Sequence, residues 1–215
     1  MGGMSPLPST DAVATIEAAL SLLTMNTSRT TAGMTLACSL FFALISAIPM
    51  PAATKEIPPS VSGRVVYIDD GDTLVILSQD RKQIRIRLTD ADAPETPKDN
   101  QGKPGQPFSR ASANNLARLA KGKNAAAHCY EYDAFDRPVC RVIVDGRDLS
   151  MEQIKAGLAW ANAANRRYVR DPQAYEHEKA ARGKGIGLWS GNRPIEPWLW
   201  RRTCWKDKQC SGAGS

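Results

Sequence analysis

Three carboxylates and two arginines fall in this chain where they could do chemistry together. Asp70-Gly71-Asp72-Thr73-Leu74 opens a stretch that ends in Asp92-Ala93-Pro94-Glu95, with Arg87 five residues before Asp92, and Arg137 follows much later in Phe135-Asp136-Arg137-Pro138. Folding the first ribbon back on itself brings Asp72 close to Asp92 and Glu95. Carboxylates gathered that closely repel unless a proton or a cation sits among them. No His or Cys accompanies them, and an oxygen-only donor set favours a hard cation such as calcium or magnesium. Calcium takes about 6–8 oxygens at roughly 2.3–2.6 Å and accepts backbone carbonyls and waters, so two Asp, one carbonyl and several waters suffice. Asp70-Gly71-Asp72 alone reads more simply as a hairpin turn. Its combination with Arg87, Asp92, Pro94 and Glu95 is what speaks for a site.

The elements that must position these residues follow from alternation and turn chemistry. Val65, Val66 and Tyr67 lead into the Asp70-Gly71 turn, and Leu74 to Leu77 is an apolar run. Asp80-Arg81-Lys82 is a polar turn, after which Ile84, Ile86 and Leu88 alternate with Gln83, Arg85 and Arg87. Period two puts the isoleucines on one face and both arginines on the other. Lys98 to Pro107 reads as a loop from which Lys98 and Lys103 can reach backbone phosphates. A helix is expected from about Phe108, with Phe108, Ala111, Leu116 and Leu119 on one face and Gly122 closing it. Residues 125–132 and 138–144 read as strands joined by the turn that carries Arg137. Asp148 caps a helix that packs Ile154 and Leu158 inward, and Asp171-Pro172 starts another that runs to about Arg182. Lys184-Gly185-Ile186-Gly187 reads as a helix stop, since it lacks the P-loop pattern, and Trp189 is expected to pack on the barrel. The fold class is α+β: a five-stranded OB-fold β-barrel with about three α-helices.

Asp70 to Leu74, Arg87-Leu88, Asp92-Ala93-Pro94-Glu95-Thr96 and Phe135-Asp136-Arg137-Pro138 together resemble the thermonuclease (staphylococcal nuclease-like) family, in order and at family-like spacing, from about Val61 to Trp189. The resemblance implies the same OB fold. It implies calcium bound by Asp72, Asp92 and the backbone carbonyl of Ala93, with Glu95 activating the attacking water and Arg87 and Arg137 holding the phosphate. It also implies cleavage that leaves a 3′-phosphate. Tyr168 is the candidate for a tyrosine flanking the bound nucleotide. Two positions depart from the family pattern: Asp136 stands where glycine is usual, and Asp90 where a neutral residue is common. The expectation is a monomeric, calcium-dependent nuclease that hydrolyses DNA, RNA or both with little sequence specificity. One rival is a non-catalytic nucleic-acid-binding module, against which the presence of all five charged residues argues; another is a membrane-tethered interaction module, which loss of nucleic-acid binding in the purified domain would favour.

Composition agrees with a polyanionic partner. The 215 residues carry a net charge of +6, and from Thr54 onward 27 Lys/Arg face 20 Asp/Glu. Residues 1–53 read as an extension with a signal peptide or membrane anchor, 54–60 as a linker, 61–191 as the nuclease domain and 192–215 as a tail. Gly33 to Met50 is uncharged, with its apolar core at Leu40 to Ile45, and Arg29 follows Met25, the better start for an export signal. The expected location is periplasmic or secreted; the alternative is an inner-membrane anchor formed by residues 33–50. Cys129, Cys140, Cys204 and Cys210 match no zinc spacing, and export favours disulfides. Pairing Cys129 with Cys140 and Cys204 with Cys210 is one of three possibilities, with free buried thiols as the other reading. His128 and His177 have no companions at metal spacing. Trp198-Leu199-Trp200-Arg201-Arg202 interleaves aromatics with cations, which suits docking of the tail better than base stacking.

Overall fold

The computed structural model describes residues 59–191 and 193–210, so the leader and anchor expectations fall outside the described residues. Three antiparallel strands come first: β1 (Val61–Ile68), β2 (Thr73–Ser78) and β3 (Gln83–Leu88), followed by the short β4 (Ala91–Asp92). Helix α1 (Ser109–Ala120) leads to β5 (Asn124–Tyr132), which pairs antiparallel with β1 and with β6 (Pro138–Val144). β6 returns parallel to β3, with Arg87 opposite Val139 and Leu88 opposite Cys140, and this pairing closes the five long strands into a barrel. β7 (Arg147–Asp148), α2 (Leu149–Lys155) and β8 (Trp160–Ala161) follow, then α3 (Gln173–Gly183) and a fourth short helix, α4 (Pro197–Trp200), which runs into a π-helical turn, Arg201–Lys206.

Alternation along the strands works as the sequence predicts. Val65, Leu74, Ile76, Ile86, Leu88 and Val142 are at most 1% exposed, and Leu116, Ala120 and Leu149 from the helices join the same core. Each such leucine contributes about 1.5–3 kcal/mol by leaving water. Asp148 caps α2 by accepting from Ser150 N and Met151 N, and Gly157 ends the following turn at φ 66°.

The inward face of α1 differs from the apolar face that its spacing picks out. Phe108 is 37% exposed at the N-cap with φ 67°, and Ala111 is exposed, while Ser112, Asn115, Leu116 and Ala120 are buried. A buried polar network decides the orientation. Gln153 Nε2 donates to Gly71 O at 2.6 Å and to Ser112 Oγ at 3.1 Å, Asn115 Nδ2 donates to Gln153 Oε1, and Ser112 Oγ donates to Leu158 O at 2.7 Å. Satisfied buried polar groups specify one arrangement, which a count of apolar residues does not see. The network also clamps the turn before β2. A Cβ at Gly71 would lie 1.9 Å from Ser112 Oγ, so only glycine fits there.

A second small sheet, β4 with β8, sets Ala91 opposite Ala161 and Asp92 opposite Trp160. Trp189 meets Trp160 of β8 edge to face at 5.5 Å. Cys129 and Cys140 face one another across β5 and β6 and are bonded, as are Cys204 and Cys210 in the tail. Among the described residues no helix is long and apolar enough to cross a membrane.

Candidate active site

Asp72 ends the clamped turn and enters β2, and Thr73 pairs directly with Arg87 of β3. The side chains of Asp72 and Arg87 therefore meet at the end of one antiparallel pair, where Arg87 Nη1 donates to Asp72 Oδ1 at 3.2 Å. Its other nitrogen, Nη2, donates to Asp92 Oδ1 at 2.8 Å. Asp92 is brought there by β4, whose pairing partner Trp160 lies far along the chain. Asp72 also accepts from Thr73 Oγ1 at 3.0 Å and, through Oδ2, from the Ala93 amide at 2.8 Å.

Arg137 arrives from the β5–β6 turn. Asp133 holds that turn by accepting from Phe135 N at 2.8 Å, Arg137 N at 3.0 Å and Arg137 Nε at 2.7 Å. Arg137 Nη1 then points to Thr73 Oγ1 at 3.4 Å, one side chain away from Asp72. Asp136 has φ 58°, the left-handed conformation that explains why glycine suits this position. Aspartate is among the few other residues that tolerate it.

Asp72, Arg87, Glu95 and Arg137 line one cavity of about 780 Å³, while Asp92 is fully buried beside it. Lys98, Lys103 and Tyr168 line the same cavity. The two lysines stand over the Trp205 ring, at 5.0 and 5.2 Å from its centre, and Arg167 stacks on Tyr168 at 5.3 Å. Asp90, which departs from the family pattern, also lines the cavity, and its carboxylate is already engaged. Its carboxylate accepts from the Arg170 and Asp171 amides and so anchors the start of α3.

One residue of the cluster is not among those singled out from the sequence for the site. Arg201, at the start of the π-helical turn, donates to Asp92 Oδ1 at 3.2 Å and Oδ2 at 2.7 Å, and also to Glu95 Oε1. The alternation of Trp and Arg in the tail signals docking. It does not show that one of two adjacent arginines turns inward to a carboxylate about a hundred residues earlier.

Burial and pairing set the charge states. Burial pushes Asp72 up to about 7 despite the pull of Arg87, with Asp70 and Asp92 adding repulsion. Burial acts on Asp92 in the same sense, yet Arg87 and Arg201 outweigh it and hold that carboxyl below its ordinary range. Burial raises Glu95, with Arg201 opposing. Desolvation disfavours the charge on Arg87, but Asp72 and Asp92 reverse this and raise its pKa, so it stays ionised.

A hard cation fits the chemistry of these donors. Asp72 and Asp92 offer only oxygen, and three carboxylates with Glu95 face two guanidiniums, Arg87 and Arg201, which leaves the cluster short of positive charge. Among the described residues no three His, Cys, Asp or Glu side chains stand together at metal-ligand spacing. Every oxygen of the two aspartates already accepts from Arg87, Arg201, Thr73 or the Ala93 amide, so a cation at this pair would share those oxygens with their present donors.

Comparison with known proteins agrees with this geometry. Residues 85–191 match the profile of the staphylococcal nuclease homologues. A Haemophilus influenzae protein described as an uncharacterized endonuclease is 37% identical over 139 residues, which cover 65% of this chain and 72% of the relative. An Escherichia coli O157:H7 protein of the same description is 33% identical over 142 residues, or 66% of this chain and 85% of the relative. A Shigella flexneri micrococcal nuclease is 37% identical over 152 residues, covering 65% and 80% respectively. With its barrel and these relatives, the chain belongs to the staphylococcal nuclease homologue family, a family of nucleases.

Proposed function

We propose that the chain is a calcium-dependent nuclease that hydrolyses phosphodiester bonds of DNA, RNA or both with little sequence specificity, leaving 3′-phosphates. The observation that carries this reading is the bridge from Asp72 through Arg87 to Asp92, in contact with a cavity that Glu95 and Arg137 also line. Asp72, Asp92 and the carbonyl of Ala93 would hold calcium, which when bound supplies positive charge to the phosphate and to the attacking water. Arg87 and Arg137 take the non-bridging phosphate oxygens through paired N–H groups, a geometry that suits the charge developing in the transition state. Glu95 accepts the proton of the attacking water at its carboxylate, and burial makes it a stronger base than an exposed glutamate. Lys98 and Lys103 lie where the flanking strand would pass, and Tyr168 offers it a ring.

The chain is further proposed to act as a monomer outside the cytoplasm, in the periplasm or secreted, with residues 33–50 as an inner-membrane anchor if the leader is not cleaved. Two disulfides support an oxidising location. Incubation of the purified chain with single- and double-stranded DNA and RNA, in calcium or in excess chelator, tests the main claim. Cleavage in calcium alone, with 3′-phosphate ends, is the expected result. Binding without cleavage would return the chain to a non-catalytic role, and full activity in chelator would remove the metal from the scheme.

A further inference from the structure

Arg201 reaches the site from 106 residues beyond Glu95, on a segment anchored at several points. Trp200 and Trp205, 2% and 8% exposed, donate their indole N–H groups to one carbonyl, Pro104 O, at 3.3 and 2.9 Å. The Cys204–Cys210 disulfide closes the turn behind them, and Trp200, Cys204 and Trp205 form a small core of their own with Ile195 and Cys210 packed against it. The loop that receives this segment is also the loop that holds Glu95. Gln106 accepts from Glu95 N at 2.9 Å, donates its own amide to Glu95 O at 2.8 Å, and donates Nε2 to Ile195 O at 2.9 Å. Glu95 is thus held at its backbone by Gln106 and at its carboxylate by Arg201, both tied to the same docked segment.

Resting on the nuclease reading above, we propose that Arg201 is the positioning residue for Glu95. It fixes the carboxylate that accepts the water's proton at a set offset from Asp92, and it stays in place through the reaction. Two observations favour this role over that of a plug that must leave before a cation enters. A plug needs a mobile carrier, and this one is buried through two tryptophans and closed by a disulfide. A guanidinium is also the group whose planar fork can hold two carboxylates in one fixed geometry, which a point charge does not do.

The test is a double-mutant cycle on the full chain, with Arg201→Ala, Arg201→Lys, Glu95→Gln and the combined variants. Readouts are kcat and KM on DNA at saturating calcium, calorimetric calcium binding without substrate, and thermal melting. Arg201→Ala is expected to lower kcat by at least about tenfold with KM within roughly threefold, and Arg201→Lys to recover only part of the loss. In the Glu95→Gln background the same substitution should cost no more than about twofold, since nothing remains to be positioned. Calcium binding should change by less than about tenfold, because Arg201 and the cation are not exclusive occupants. An equal loss in both backgrounds, or wild-type turnover in Arg201→Ala, would overturn the role. So would calcium binding tightened beyond that limit together with higher turnover at limiting calcium, which is the signature of a plug. If the alanine variant does not fold, the lysine variant read through the same cycle decides. A wild-type chain that cuts no nucleic acid overturns the nuclease reading and this role with it, whereas a cutting wild type with additive losses overturns this role alone.

Discussion

The barrel wall and the C-terminal segment each bring an arginine to Asp92, and they do so by opposite means. Arg87 sits on β3 between two paired strands, antiparallel β2 and parallel β6, with Ile86 and Leu88 on either side 0% and 1% exposed. Its placement is inherited from a continuous core. Arg201 stands on a turn whose own core is small, and it depends on two indole hydrogen bonds and a short disulfide loop for its position. The wall can lose a contact and keep Arg87 in register. The tail holds Arg201 through fewer anchors, so removing one of them should displace its arginine more than a comparable loss in the wall displaces Arg87.

The strongest test of this contrast is chemical replacement on the wall. Arg87→Lys keeps the charge but loses the fork between Asp72 and Asp92, and kcat at saturating substrate should fall on the order of 10²–10³-fold with the melting temperature little changed. Arg137→Lys should lose at least about tenfold. Near-wild-type turnover in both would reduce the arginines to steering charges and leave catalysis to the metal alone.

A second test uses the unequal protonation of the two aspartates. Asp72 is raised to about 7, so below that pH its proton competes with a cation. Calcium affinity, read by calorimetry from pH 5 to 9, should climb by up to about tenfold per unit below pH 7 and level off above it. For the cation-free fold the signs of the two groups oppose. The contribution of Asp72 is fully present below the ordinary carboxylate range and is lost as pH rises through about 7. The contribution of Asp92, whose pKa is lowered, is present above that range and is lost as pH falls through its depressed value. A calcium affinity that does not vary across this range would remove Asp72 as a ligand.

The smallest effects, and the sharpest for the contrast, come from the two disulfides. Removing Cys129–Cys140 by double alanine substitution should lower stability by about 2–4 kcal/mol in urea denaturation while kcat stays nearly unchanged. Cys204–Cys210 closes a shorter loop, so its removal should cost less stability, yet kcat should drop about two- to fivefold as Arg201 loses its fixed carrier. The reverse pattern would mean that the tail is an ornament to the barrel.

What was readable in the sequence is what short-range periodicity and turn chemistry dictate. Alternation of Ile84, Ile86 and Leu88 with Arg85 and Arg87 puts an arginine on the face away from the core, and Asp70-Gly71 turns the chain so that Asp72 precedes the partner strand. Those rules act over a few residues, so the barrel strands, the Asp148 cap and the positions of Asp72 and Arg87 at a strand end follow from them, while the grouping with Asp92 and Glu95 was implied by the family resemblance. Tertiary structure decided the rest. The buried face of α1 is chosen by Gln153 and Ser112, polar residues whose value lies in partners far along the chain. Asp92 is fixed through Trp160, which no local pattern connects to it. Arg201 and Arg202 are indistinguishable by type and neighbourhood, and only the seating of Trp200 and Trp205 on the Pro104 carbonyl turns the first of them toward Asp92 and Glu95. Periodicity sorts residues into faces, but which distant groups those faces meet is settled by packing.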